Sequence, residues 1–465
     1  MMKTTVGSAC LCALLITAGL EAYGAATNRY VVAPGTAGAT PTPPYDSWET
    51  AGTNIIEVVN EANAYNGGDH VIISNGTYWL TNQVSITNTV VTNASGDRAL
   101  VVVNGNFPDY SNRCFYLNNS AARVVCLTIT NGMVTNDNGG GIYVQNGCVS
   151  NCVIAGNRAW MKTATLHGGG GGGIFMSGGE VSHCDIAGNT VFVDSSGRFG
   201  GGGGVALSSG GTLRYSRLAF NVATNGVNGG NRFNVGGGVY IYTAGLVDHC
   251  EIVSNACDTV YWMYGGGGAQ LHSGGSISNS SVTGNYIPGS DSSGGGVSIC
   301  GSGIIRNCVI AYNRCASGQG AVGMSAASGG RVENCTIVSN SSGIYLRDIY
   351  AVPISNVINC IVYWNAGTAI GAFSKCKTAM VACCMSPGYD QTYLNPGGTT
   401  NDPLLSGADF SLSSAHSSCY NHGVNLDWMT NATDRTGNRR IDRAGNVADI
   451  GACEFMPRIS LFRTW

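Results

Sequence analysis

One short skeleton recurs along the chain: a Cys, an apolar residue two places on, and an Asn five places on. It reads Cys152-Val153-Ile154-Ala155-Gly156-Asn157, and returns as Cys184 to Asn189, Cys250 to Asn255, Cys308 to Asn313 and Cys335 to Asn340. Looser copies end at Asn131, Asn221, Asn285 and Asn365, with Ser216 and Ser280 replacing the Cys in two of them. Successive Asn residues lie 25 to 34 positions apart. Units of that period stack into a solenoid, because a single unit buries no core of its own.

A glycine run and an apolar–any–apolar triplet precede each Cys, as in Ile142-Tyr143-Val144, Ile174-Phe175-Met176, Val205-Ala206-Leu207 and Val239-Tyr240-Ile241. Such short alternation reads as a strand with one buried face. A Gly turn and an apolar residue (Val149, Val181, Val247, Ile277 or Val332) then lead into the Cys. Each unit therefore predicts three short strands and leaves no room for a crossover helix. Parallel strands joined this way must coil. The expected fold is all-β, a right-handed parallel β-helix with coils about 4.8 Å apart.

The residue before each Cys is Asn151, His183, Tyr215, His249, Asn279, Asn307, Asn334 or Asn359. It marks a tight corner, where Asn tolerates the left-handed conformation and stacked amides can bond from coil to coil. Glycine is expected to supply positive φ at the other corners. The column Cys126, Cys152, Cys184, Cys250, Cys308, Cys335 and Cys360 is expected to point inward as small buried groups. Replacement by Ser in two copies argues against a metal or redox array. Side chains stacked in register also point the same way, which is poor disulfide geometry.

The chain has 70 Gly among 465 residues, yet 44% of it is hydrophobic, and the regular columns argue for order. Only 11% is charged and the net charge is −3, so no basic stripe offers itself to nucleic acid. Residues 1–26 read as a secretory signal: Lys3, the apolar stretch Cys10 to Leu20, then small residues at Ala22, Gly24 and Ala25. The apolar stretch is too short to span a bilayer, and no later stretch does so. Export places the mature chain in the secreted or cell-surface space and permits disulfides. Removing Cys10 and Cys12 with the signal leaves 19 − 2 = 17 cysteines. The candidates for pairing lie outside the column: Cys114, Cys148, Cys257, Cys300, Cys315, Cys376, Cys383, Cys384, Cys419 and Cys453. Their connectivity stays open.

After the signal, residues 27–125 read as an N-terminal cap and first coils. Asn54 to Ala64 predicts a helix, capped by Asn54 and Glu57, with Ile55, Val58, Val59 and Ala62 as its apolar stripe. It should cover the open first coil. Regular coils run over 126–365. Residues 366–465 lose the period and read as last coils and an irregular C-terminal cap.

Variable segments between each ladder Asn and the next glycine run should emerge along one edge. The candidate binding residues there, and on the adjoining strand faces, are Trp160, Phe199, Phe233, Tyr240, Tyr242, Tyr261, Trp262, Tyr264 and His272. Aromatic rings beside polar groups suit a polysaccharide or surface glycan.

The glycine–apolar strand with its five-residue step to Asn resembles secreted bacterial right-handed β-helix proteins of the pectin-lyase-like superfamily. It is also similar to repeats of chlamydial polymorphic outer membrane proteins. The Asp402-Pro403 to Asp449-Ile450-Gly451-Ala452 tail resembles the C-terminal end of many such exported proteins. The resemblance implies the fold over about 27 to 455, and it spans lyases, hydrolases, adhesins and spacers alike. The paired-carboxylate, Gly-His-Gly and arginine motifs of enzymes with this fold are missing. Asp185 and Glu251 read as outward strand residues, and His183 and His249 as corners. No catalytic residue or metal ligand is assigned, and no cofactor is implied; for calcium, the nonapeptide calcium repeat is absent. The function expected is a non-enzymatic adhesion, glycan-binding or structural role. The alternative is a polysaccharide lyase or glycoside hydrolase working through the variable-loop edge.

Overall fold

The computed structural model describes residues 27–65, 68–162, 169–193, 200–225, 234–258, 265–288, 294–316, 320–325, 329–347, 356–367, 370–372, 379–387, 397–407, 409–441 and 445–456. The signal segment 1–26 therefore lies outside the described residues, as does Cys376. The chain winds as a right-handed parallel β-helix.

Each regular coil contributes strands to stacked parallel columns. The first column holds the glycine-led strands, such as Ile142–Val144, Ile174–Met176 and Val297–Ile299. The second holds Cys148–Ser150, Glu180–Ser182 and their equivalents. Two ten-residue strands, Val205–Arg214 and Val239–Asp248, run through both, so the two columns form one sheet of 22 strands. The third column is the 12-stranded sheet that contains Val153–Ala155, Asp185–Ala187, Arg217–Ala219, Glu251–Val253, Ser281–Thr283 and Val309–Ala311. Three strands per unit were expected. A fourth column of seven strands, from Met133–Thr135 to Arg314–Cys315, follows Gly132 and the ladder asparagines from Asn157 to Asn313. Its apolar residues Ala159, Met161, Val191, Val193 and Ala223 bury a small second core with Val235. Polar neighbours and short length hid this strand from the period-2 pattern.

Inside, one residue per strand faces its copies above and below. Ile154, Ile186, Leu218, Ile252, Val282, Ile310 and Ile337 form one fully buried column. Each such side chain contributes roughly 1.5–3 kcal/mol by leaving water. Registers are unshifted in that column, since a one-residue slip would turn every Ile outward.

The corner residues adopt the left-handed conformation, with φ of 52° at Asn151, 55° at His183, 49° at Tyr215 and 50° at His249. The continuous amide ladder belongs to the other Asn column. Asn157 Nδ2 donates to Asn189 Oδ1 at 3.0 Å, and the same bond links Asn189, Asn221, Asn255, Asn285, Asn313, Asn340 and Asn365 in turn. Each Oδ1 also accepts the preceding Asn backbone N–H, at 2.8–3.0 Å. Each Nδ2 also donates to a core-strand carbonyl one coil back, as Asn255 does to Leu218. All these amides are buried.

One repeat copy needs correction. The copy Cys126…Asn131 is out of frame by one residue. Ile129 pairs with Ile154, so Leu127 takes the place of Cys152, and Cys126 becomes a corner at φ 62°. Gly132 stands where the ladder Asn would be, and its N–H donates to Asn157 Oδ1 at 2.9 Å. Glycine supplies positive φ at the other corners, as at Gly179 (71°) and Gly188 (62°), whereas most of the glycine-run residues have ordinary φ. They are required by contact: a Cβ on Gly237 would lie 2.1 Å from the Gly267 carbonyl oxygen, and one on Gly238 would lie 3.0 Å from Asn255 Nδ2.

The column thiols point inward and donate to the carbonyl two residues back, Cys184 to Ser182 at 3.2 Å and Cys308 to Arg306 at 3.0 Å. Ser216 and Ser280 make the same bond at 2.8 and 2.6 Å. The column thus needs a small donor, which Ser supplies as well as Cys. Burial pushes the Cys250 thiol up to about 12, so it stays protonated.

The helix Ile55–Ala64 closes the N-terminal end with Ile55, Val58, Val59 and Ala62 buried, and Asn54 Oδ1 caps it by accepting the Ile56 N–H at 2.9 Å. Beside it, buried Arg29 donates to Asp69 at 2.7 Å.

Candidate functional site

The C-terminal segment decides which part of the solenoid stays open. Its residues Phe410, Leu412, Ile450 and Ala452 bury the outward face of the third column over the last coils, against Val309, Ala311, Val338, Ile361 and Tyr363. The corner amides there turn to the cap: Asn307 Nδ2 donates to the Thr433 carbonyl at 3.1 Å and Asn359 Nδ2 to the Val424 carbonyl at 2.8 Å. The Arg306 guanidinium stacks on the Trp428 ring, 4.8 Å from its centroid. Inside the cap, buried Asp434 accepts the N–H groups of Thr436, Asn438 and Glu454, and Asp449 accepts those of Asn421 and Phe455. The tail motif around these aspartates is therefore cap architecture.

Earlier coils of the third column remain uncovered. Two contiguous hollows lie there. The first, about 450 Å³, is lined by Arg98, Asn151, His183, Asp185, Tyr215 and Arg217. The second, about 330 Å³, is lined by Arg217, Glu251, Ser281, Thr283, Val309 and Arg435. Arg217 is common to both, so they form one groove along the stacking direction. Asp185, Arg217, Glu251, Ser281 and Val309 occupy one outward slot on five successive rungs, at about 4.8 Å per rung. The slot thus carries carboxylate, guanidinium, carboxylate and hydroxyl in order. Arg217 and Asp185 meet at 3.3 Å, both substantially exposed.

One wall is a stack of corner rings. His183 and Tyr215 stand 5.2 Å apart and Tyr215 and His249 stand 5.0 Å apart, nearly parallel. Tyr215 is 49% exposed. His249 Nδ1 is held by Asp248 Oδ2 at 2.8 Å, and Asn279 Nδ2 donates to the other Asp248 oxygen at 2.8 Å. At one end, Arg98 reaches over from an N-terminal loop and donates to the Cys152 and His183 carbonyls at 3.4 Å. At the other end stands Arg435 of the cap.

Four of the nine candidate binding residues lie among the described residues, and none of these four lines the groove. Tyr240, Tyr242 and His272 come together outside the first column, with centroids 5.1 to 6.4 Å apart. Tyr240 is buried at 1% exposure, in a satellite cluster with Phe175 and Ala206. Burial pushes its phenol well up, and it offers no ring face to a ligand. His272 is half-buried, and burial lowers its imidazole. Trp160 sits apart in the fourth column, beside Phe192 and under the Lys162 ammonium, 4.0 Å from the ring centroid. Phe199, Phe233, Tyr261, Trp262 and Tyr264 lie outside the described residues.

The groove instead uses residues read as corners and plain strand positions. The available signal was charge alternating in one slot, Asp185, Arg217 and Glu251, with Arg217 hidden behind the Ser216 copy. Arg98 and Arg435 come from distant segments and carry no periodic mark. Among the described residues, no group of three metal-ligating side chains occurs, and no helix is long and apolar enough to cross a membrane.

Residues 237–386 match the family model of the right handed beta helix region. The crystal structure of pectate lyase Pel9A is similar at 13% sequence identity and a TM-score of 0.42, covering 93% of this chain and 98% of that one. No curated protein matches the chain. The parallel columns extend on both sides of the matched segment, from Asn28 to Met385.

Proposed function

We propose that the chain is an exported glycan-binding protein, holding an extended saccharide along the third-column groove between Arg98 and Arg435. One observation carries this reading: charged and hydroxyl side chains stand in one outward slot at successive rungs. An extended polymer lying along the stacking direction meets one side chain per rung. Arg98, Arg217 and Arg435 suit carboxylate or sulfate groups, and Asp185, Glu251 and Ser281 suit hydroxyls. The apolar segment within residues 1–26 supports export.

A second reading, a polysaccharide lyase or glycoside hydrolase, draws on the carboxylates that flank Arg217. Asp185 and Glu251 are two rungs apart, which sets their backbones about 9.6 Å from each other. Retaining hydrolysis wants carboxyl groups about 5–5.5 Å apart, and inverting hydrolysis about 6.5–9.5 Å. Side chains on that backbone spacing reach the inverting range; binding is favoured instead by Arg217, which stands between the two carboxylates and pairs with Asp185 at 3.3 Å.

The test incubates residues 27–465 with acidic and neutral polysaccharides, following retained protein and released product together. Binding to an acidic glycan without product is expected, and Arg217→Ala should weaken it at least about tenfold. Product formation that disappears in Glu251→Gln would instead make this an enzyme. Unchanged binding by Arg217→Ala would remove the groove from the account.

A further inference from the structure

The third column turns at a second corner, on the residue before each ladder Asn, from Gly156 to Trp364. All eight of these residues hold the left-handed conformation, with φ from 51° at Trp364 to 68° at Gly156. They stack rung on rung, since the Gly188 N–H donates to the Ala219 carbonyl at 3.0 Å and the Phe220 N–H to the Val253 carbonyl at 3.4 Å. Glycine takes this conformation freely, whereas a bulky aromatic takes it only under strain. Three of the eight are aromatic, and packing accounts for two of them. Tyr312 lies 5.8 Å from the Phe410 ring of the cap, and Trp364 meets Tyr363 edge-on at 5.7 Å. Phe220 is 60% exposed and meets no other ring among the described residues. Its neighbour is the Arg217 guanidinium, 5.9 Å from the ring centroid. The corner one rung before it is Gly188, where a Cβ would meet nothing within 4 Å. The opposite corner of the same rung is Tyr215, also exposed, so two open rings flank the one arginine of the outward slot.

We infer that Phe220 is a stacking platform for a saccharide ring and a specificity-determining residue of the groove. The inference rests on the glycan reading above and adds to it a demand that charge alone does not make. A pyranose unit sets its C–H face on the exposed Phe220 ring, over the open corner at Gly188, while an acidic substituent of the chain pairs with Arg217. The second hollow reaches Val253 and Thr283, the strand positions beside this corner, so the groove floor leads up to the platform. Tyr215 and Phe220 then stand on either side of the ligand where it crosses the Arg217 rung, the point of tightest binding. A charged polymer without sugar rings meets the cation and leaves the platform empty. An aromatic kept in a strained and exposed place, at the rung that carries the slot arginine, is thus accounted for by the ligand and not by the fold.

The test separates the ring from the fold and from the charge. Phe220→Gly installs the residue that this corner favours, so the thermal midpoint of the exported chain should hold or rise. Its affinity for alginate or chondroitin sulfate at fixed salt, read by titration calorimetry, should fall about tenfold, and Phe220→Trp should keep it. Polyglutamate, which carries charge without sugar rings, should bind the wild type and Phe220→Gly alike. Saccharide affinity untouched in Phe220→Gly but lost in Arg217→Ala would overturn the inference and leave the groove reading standing. An equal loss for polyglutamate would also overturn it, and so would a thermal midpoint that falls together with binding. A wild-type chain that binds neither saccharide would overturn both.

Discussion

At the residue scale, two inward columns depend on hydrogen-bonding groups, and they differ in how much substitution they bear. Asn255 accepts two bonds from Asn221 and donates to Asn285 and to the Leu218 carbonyl. Asn255→Leu leaves several buried polar groups unpaired. It should destabilise the chain by at least about 3 kcal/mol, read as a lower urea midpoint; a loss under about 1 kcal/mol would mean that water replaces the amide. Cys250 should be far more tolerant. Its thiol donates to the Asp248 carbonyl, as Ser216 and Ser280 do to theirs. Cys250→Ser should change stability by less than about 1 kcal/mol, and Cys250→Val, which removes the donor, should cost more. The Asn and Cys spacing was legible because both residues sit at fixed places relative to corners. The frame of Cys126 was not, since its spacing to Asn131 matches the others and only strand pairing with Val153–Ala155 reveals the slip.

At the scale of elements, the helix was legible because cap, stripe and stop agree within one local window. The fourth column and the cap were not, because their burial comes from distant partners. Arg440 and Glu454, 2.9 Å apart and both buried, show what such a partner does. Burial pushes the Glu454 carboxyl from 4.5 up to about 8, against the pull of Arg440. The folded cap therefore binds a proton that the unfolded chain releases near pH 4.5. That contribution is full at low pH and is lost as pH rises to about 8. Cap stability, followed by hydrogen exchange of residues 445–456, should fall across that window and level off above it. Glu454→Gln should flatten the slope; an unchanged slope would place the proton elsewhere. The groove was the least legible element, since its floor is periodic but its ends, Arg98 and Arg435, are brought in by the whole fold.

At the scale of the molecule, coils touch their neighbours, the helix packs on the first coils and the C-terminal segment lies along the outward face of the last ones, so stability sums over coils and interfaces. Excision of one complete repeat, residues 256–285, rejoins Asn255 to Tyr286 and leaves every column in register. The shortened chain should still fold cooperatively, with circular dichroism of the same shape; collapse into an unfolded chain would show that the repeats are not interchangeable. The same excision takes Ser281 and Thr283 from the groove floor and draws Arg435 about 4.8 Å closer to Arg98. The distance between those two arginines is thus counted in whole coils; under the proposed function the solenoid is a ruler, a ligand gripped at both ends being selected by its length in steps of one rung, and a lineage that gains or loses a repeat changes that length together with the floor residues the repeat carries.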